Sequence, residues 1–118
     1  MNQEKNTENI PQPPVTGGFI YNVTINVNWP IHDAWLQWMI NIHIPDVMAS
    51  GCFKKQQVVR LLEIDETDGP TYAVQYYAQS KADYNRYIEL YAQKMRQAVI
   101  DLWGKQCVTF RTLMQVVH

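Results

Sequence analysis

The chain has 118 residues, 47% of them apolar and 18% charged, with a formal net charge of -1 from 10 basic and 11 acidic side chains. That length supports one compact domain with a core and is too short for two. The basic residues are scattered, with Lys54-Lys55 the only adjacent pair, so the footprint of a nucleic-acid binder is missing. No apolar run approaches the roughly 18 residues that span a bilayer, and Met1-Asn2-Gln3-Glu4-Lys5 lacks the apolar stretch of a secretory signal, so a cytoplasmic protein with no membrane partner is expected.

Residues 1–18 form a polar leader with Pro11, Pro13 and Pro14 that closes on Gly17-Gly18. It has little to bury, so disorder is expected there and the folded domain is expected over residues 19–118. From Phe19 to Asn28, Phe19, Tyr21, Val23, Ile25 and Val27 alternate with Ile20, Asn22, Thr24 and Asn26. This pattern predicts a strand with one core face and one mostly polar face. Trp29-Pro30 ends it, because proline cannot donate to a ladder.

Ile31 to Ile44 has helical spacing. At about 100° per residue Ile31, Trp35, Trp38, Met39 and Ile42 share one face, while Leu36, Ile40 and Val47 make a second stripe. A helix apolar on two sides usually meets two surfaces, here its own sheet and a partner subunit. Pro45 breaks or kinks the helix and Ser50-Gly51 closes the segment. Phe53–Ile64 and Thr71–Ala78 read as a hairpin across the acidic turn at residues 65–70, which lacks the distal glutamate of a calcium loop. Ser80-Lys81-Ala82-Asp83 opens a second helix in capping-box style. Tyr84, Tyr87, Ile88, Tyr91, Met95, Val99 and Leu102 follow at helical spacing, and Gly104 is the natural stop. Cys107 to Val117 is the last strand; Val108, Phe110, Thr112, Met114 and Val116 share one face, assigned to the core, which leaves Thr109, Arg111, Leu113 and Gln115 on the opposite one.

The order strand, helix, strand, strand, helix, strand predicts an α+β, ferredoxin-like sandwich: a four-stranded antiparallel sheet with two helices on one face. In that topology Cys52 and Cys107 open antiparallel strands at opposite ends of the sheet. An eight-residue strand spans roughly 26 Å, beyond the roughly 7 Å between Cα atoms that a disulfide tolerates. Two reduced thiols fit a cytoplasmic setting.

The polar strand face, with Asn22, Thr24, Asn26, Gln75, Tyr77 and Arg111, mixes too much apolar surface for open water and too much polarity for a core, and this suits a face-to-face homodimer. His43 is the candidate for proton chemistry because imidazole titrates near neutrality, and it lies at the flank of the first helix's core face, about 80° from Trp35. Asp46, three residues on, is placed to orient the ring or to pair with Arg111. The competing reading packs His43 against the sheet edge and uses Asp46 as a cap. Arg111, within a strand, needs a carboxylate partner or an anionic ligand. Trp35, Trp38, Tyr72 and Tyr77, with Gln75 and Asn22, are candidates to line a pocket for a small molecule; at the same spacings aromatics are also core. No His, Cys or carboxylate spacing suits a metal and none calls for a cofactor.

Tyr21-Asn22-Val23-Thr24, His43-Ile44-Pro45-Asp46-Val47, Thr71-Tyr72-Ala73-Val74-Gln75-Tyr76 and Phe110-Arg111-Thr112-Leu113-Met114 together resemble an uncharacterised bacterial family, the domain-of-unknown-function family numbered forty-two eighty-six, of Bacteroidetes type. The resemblance covers residues 19–118 and implies a fold similar to the dimeric α/β-barrel group. That group includes cofactor-free monooxygenases, isomerases, haem-linked enzymes and subunits with no catalytic role, so the resemblance carries no single activity. Two readings stand. One is a homodimeric ligand-binding or interaction domain. The other is a cofactor-free enzyme, monooxygenase-like or isomerase-like, acting on a small, aromatic or enolisable compound, with His43 as base, Asp46 orienting it and Arg111 stabilising an anion.

Overall fold

Strand β1, Phe19–Val27, is the spine of the molecule. The computed structural model describes residues 18–118, so all but the last residue of the polar leader lies outside the described residues. The β-branched and aromatic residues of β1 alternate strictly: Tyr21, Ile25 and Val27 are buried against the helices, and Asn22, Thr24 and Asn26 point the other way. β1 pairs antiparallel with β3, Thr71–Ala78, on one side and with β4, Cys107–Gln115, on the other. The short strand β2, Lys55–Arg60, closes the far edge against β3. The sheet order is therefore β2-β3-β1-β4, with every neighbouring pair antiparallel, the four-stranded ferredoxin-like arrangement.

One layer of helices covers one face. The first crossover contains helix α1, His32–Trp38, a π turn at Met39–His43 and helix α2, Ile44–Met48. The second contains α3, Lys81–Leu90, and α4, Ala92–Trp103. Trp35, Met39, Ile44, Val47, Tyr87 and Ala92 from these helices share a core with Tyr21, Ile25, Val27, Tyr72, Val74 and Tyr76 from the sheet. The Ser80 side chain caps α3 by accepting from the Asp83 backbone N–H at 3.1 Å. Gly69 seats the hairpin loop on β1: a Cβ there would lie 1.7 Å from the Val27 carbonyl oxygen, at a φ of +155°, so only glycine permits the approach.

The structure departs from the sequence expectation in four places. The second strand is Lys55–Arg60, shorter than Phe53–Ile64, because the chain after Arg60 leaves the ladder for a loop with its own bonds. There Arg60 pairs with Glu66 at 2.8 Å, Asp65 accepts from the Thr67 backbone at 2.9 Å, and the Trp29 indole donates to the Glu66 carbonyl at 2.9 Å. The second helix breaks at Tyr91 (φ -125°, ψ -31°), which changes the phase of its buried stripe: Trp103 turns inward and Leu102 outward. Ile42 is 51% exposed instead of buried. Most consequentially, the last strand presents the opposite face from the one its apolar alternation implied. Arg111 is paired with Val23, and Thr109 with Ile25, so both share the helix-covered face; Val108 and Phe110 lie on the open face, 54% and 66% exposed.

Candidate functional site

A cavity of about 40 Å³ lies between the covered face of the sheet and the helices. Tyr21, Tyr76 and Tyr87 supply its aromatic wall, and His43, Arg96 and Arg111 its nitrogen-bearing side chains.

His43 reaches the cavity because of the π turn. Pro45 has no N–H to return to the Asn41 carbonyl, so the regular ladder cannot run through it. Upstream the bonding widens: the Ile44 N–H donates five residues back, to the Met39 carbonyl. One extra residue in the turn rotates everything after it by about 100° relative to a regular helix. That rotation carries Ile42 out to solvent and brings His43 and Val47 into line with Trp35 and Met39. The His43 ring is 8% exposed and stacks on Trp38 with centroids 4.7 Å apart, while Trp38 meets Trp103 edge-on at 5.9 Å. Burial pushes the His43 pKa down to about 4, against a smaller opposing pull from the Asp46 carboxylate. The imidazole is therefore neutral near pH 7.

Arg111 lines the same cavity from β4, and among the described residues it has no carboxylate within ion-pair distance. Arg96 enters from α4. Its Nη2 donates to the Tyr21 hydroxyl at 3.2 Å, and its buried Nε has no acceptor among the described residues. Burial raises the pKa values of the Tyr76 and Tyr87 hydroxyls and keeps both protonated; at Tyr87 the two guanidiniums pull weakly the other way, which places both in reach of that hydroxyl's field. Among the described residues no carboxylate lines the cavity. His43, Tyr76 and Tyr87 are thus neutral where they line the cavity beside two arginines.

The structure brings together part of what the sequence singled out. His43 and Arg111 share the cavity, whereas Asp46 is exposed and does not line it. Trp35 and Tyr72 are core, and Tyr72 accepts or donates a hydrogen bond at 2.7 Å with His32, which is itself half-buried and stacked on it. Trp38 touches the site through His43 alone. Asn22, Gln75 and Tyr77 lie on the other side of the sheet. There Gln57 donates to Gln75 at 2.9 Å, Gln75 to Asn22 at 3.2 Å and Asn22 to Thr24 at 3.0 Å. Arg96 was missed. A signal for it existed: Ala92, Arg96, Val99 and Trp103 fall at helical spacing, so a charged residue occupies an inward stripe. Neither thiol offers a nucleophile. Cys52 and Cys107 are both unpaired, Cys52 is buried, and burial pushes the Cys107 thiol up to about 11. Among the described residues no three His, Cys, Asp or Glu side chains converge as a metal site, and no helix is long and apolar enough to cross a membrane.

A covered antiparallel sheet in the order β2-β3-β1-β4, with a cavity between sheet and helices, makes this a ferredoxin-like α+β protein. The chain belongs to the family DUF4286, a domain of unknown function, whose model matches residues 18–117. Among solved structures it is similar to an ethyl tert-butyl ether (ethd) family protein from Bacillus halodurans, at 9% identity and a TM-score of 0.62, over 84% of this chain and 99% of that one. It is also similar to a monooxygenase of Streptomyces coelicolor, from the gene ActVA-Orf6, in complex with Nanaomycin D: 16% identity, TM-score 0.59, 86% of this chain and 88% of that one. A dimeric ferredoxin-like protein from an uncultured marine organism aligns over 85% of this chain and 95% of that one, at 14% identity and a TM-score of 0.49. At such identities the likeness is one of fold. No curated protein matches the sequence.

Proposed function

We propose that this chain is a homodimeric binding domain that holds a small molecule in the cavity between sheet and helices. The observation that carries the reading is the cavity's lining: a neutral, buried imidazole, two arginines without carboxylate partners among the described residues, and tyrosine rings. Buried apolar walls with a few convergent polar groups are the usual makings of a ligand site. The dimer is supported by the open face, where Phe110, Val108 and Val59 are exposed apolar side chains on a surface otherwise knitted by satisfied amides. A second copy laid on that face removes the apolar stripe from water at little polar cost. Two unpaired thiols support a reducing, cytoplasmic location.

Sedimentation across a hundredfold dilution tests the assembly, with a dimer expected at micromolar concentration and a monomer throughout counting against it. Titration of small aromatic compounds into the same protein, followed by the His43 ring resonances, tests the cavity. Resonances unmoved by every compound would leave it without a ligand role.

A second reading, catalysis on the bound compound, is favoured by His43 and Arg111 lining one cavity. In it Arg111 steadies an anion. His43, with its pKa near 4, is a weak base at neutral pH and serves better as a neutral hydrogen-bonding partner to the substrate than as the proton acceptor. Asp46, outside the cavity, tunes the ring from a distance. A turnover assay on any compound found to bind separates this reading from simple binding.

A further inference from the structure

Arg96 and Arg111 converge on the cavity from opposite layers, one from α4 and one from the sheet, and among the described residues no carboxylate lines the space between them. A guanidinium withdrawn from water calls for an anion, and its planar donor fork matches a carboxylate in shape as well as charge. Arg96 is already half committed. It gives Nη2 to the Tyr21 hydroxyl at 3.2 Å, yet its Nε–H is buried without an acceptor among the described residues, which is a costly state for a charged donor. Arg111 has no acidic partner among the described residues and is exposed, so it stands where the cavity meets solvent. The walls between them are flat rings and aliphatic carbons: Tyr76, Tyr87, Met95 and Val99.

Resting on the ligand-binding reading above, we infer that the cavity is specific for a small monocarboxylate, its carboxylate held between Arg96 and Arg111. The volume sets the scale. About 40 Å³ gives room for only a few waters by the usual allowance of roughly 10–15 Å³ each, so the carboxylate head fills the interior and the body extends toward the Arg111 mouth. With Tyr76 and Tyr87 kept protonated by burial and His43 neutral, these groups add donors to the anion without adding a competing negative charge.

The test uses the full chain and three probes: benzoate, its neutral isostere benzamide, and inorganic phosphate. Binding is followed by NMR of the arginine Nε–H groups and quantified by calorimetry. Benzoate is expected to shift both Arg96 and Arg111 signals and to bind at least about tenfold tighter than benzamide, the factor that one charge-assisted hydrogen bond supplies. Arg111→Gln, a change at an exposed edge-strand position, is expected to weaken benzoate by about tenfold or more and benzamide by a smaller factor, with the unfolding midpoint unchanged. Benzamide binding as tightly as benzoate, or phosphate binding more tightly, overturns the carboxylate assignment and leaves the cavity a binding site of other specificity. No binding by any probe overturns both this inference and the reading it rests on.

Discussion

The two faces of the sheet are built from the same strands and differ in almost every physical respect. On the covered face Tyr21, Val23, Ile25 and Val27 meet the helices, yet the packing stops short of filling the space around Arg96 and Arg111 and leaves a small cationic cavity. On the open face the polar groups of three strands satisfy one another in a chain from Gln57 through Gln75 and Asn22 to Thr24, while Phe110 and Val108 are left in water. The core side thus has unspent polar donors and the solvent side has unspent apolar surface. In the proposed reading an anion completes the first side and the apolar surface of a second copy completes the other.

The sharpest way to break this comparison is to remove one large residue from each face. Trp35 is fully buried between α1 and the sheet, so Trp35→Ala is expected to cost about 3–5 kcal/mol of unfolding free energy, measured by urea titration of the monomer at high dilution. Phe110→Ala, under the same conditions, is expected to change it by no more than about 0.5 kcal/mol, because the side chain has little to lose. Equal costs at the two positions would mean that β4 packs its even-numbered residues inward after all.

The second effect is electrostatic and belongs to the covered face alone. His43 has a folded pKa near 4 against an ordinary value of 6.5, so between those pH values the unfolded chain binds the extra proton and the folded one does not. Stability from this group is fully present above about pH 6.5 and is lost as pH falls toward 4, by about 3 kcal/mol at most. Carboxylates titrate in the same range, so the measurement is a difference: urea midpoints of the native chain and of His43→Leu at pH 7.5 and pH 4.5. The native chain is expected to lose more. Parallel losses in both proteins would show that the ring is not the source.

How much of this was written in the chain follows from which forces decide each feature. The strand-helix order, the antiparallel sheet and the Ser80 cap are local or periodic, and alternation and capping chemistry reveal them. The π turn was half legible: Pro45 announced a break, but nothing in the apolar spacing said that the helix would absorb it by widening one turn and exchanging Ile42 for His43. The facing of β4 was not legible, because a strand whose even-numbered residues are apolar is assumed to point them at its own core. That assumption fails here, where the register with β1 turns Val108 and Phe110 to the open face and Arg111 to the covered one. The alternation of β4 therefore puts Arg111 on the wrong face, and Arg96 is hidden because its inward stripe resumes after the break at Tyr91 with a new phase.

The open face supplies the third prediction. Phe110→Asp is expected to weaken the proposed dimer by at least about 2 kcal/mol, the range of a central interface residue, and so to shift its dissociation midpoint upward by some thirtyfold in sedimentation. Phe110 lies directly across from Thr24, beside the amide chain, so a charge there meets apolar surface in the assembly and only water in the monomer. An unchanged dissociation midpoint would move the assembly surface elsewhere, the exposed Ile40 and Ile42 of the first crossover being the next candidates.

The smallest expected effect is also the most discriminating. Asn22 is 8% exposed although it faces away from the helices; it accepts from Gln75 and donates to Thr24. Asn22→Ala is expected to cost about 1 kcal/mol in the dilute monomer, because water can replace the lost partner at the Gln75 amide. In a face-to-face dimer that replacement is not available, and the Gln75 donor is left buried and unpaired, which raises the cost by about another 1–2 kcal/mol. The quantity to compare is the Asn22→Ala penalty in urea at concentrations below and above the dissociation midpoint. A penalty that grows with concentration means the amide chain is sealed from water by a second copy, since mass action alone adds equally to both proteins. A penalty independent of concentration means the amides stay wet, and Phe110 and Val108 must then find their cover along the β4 edge, outside the centre of the face.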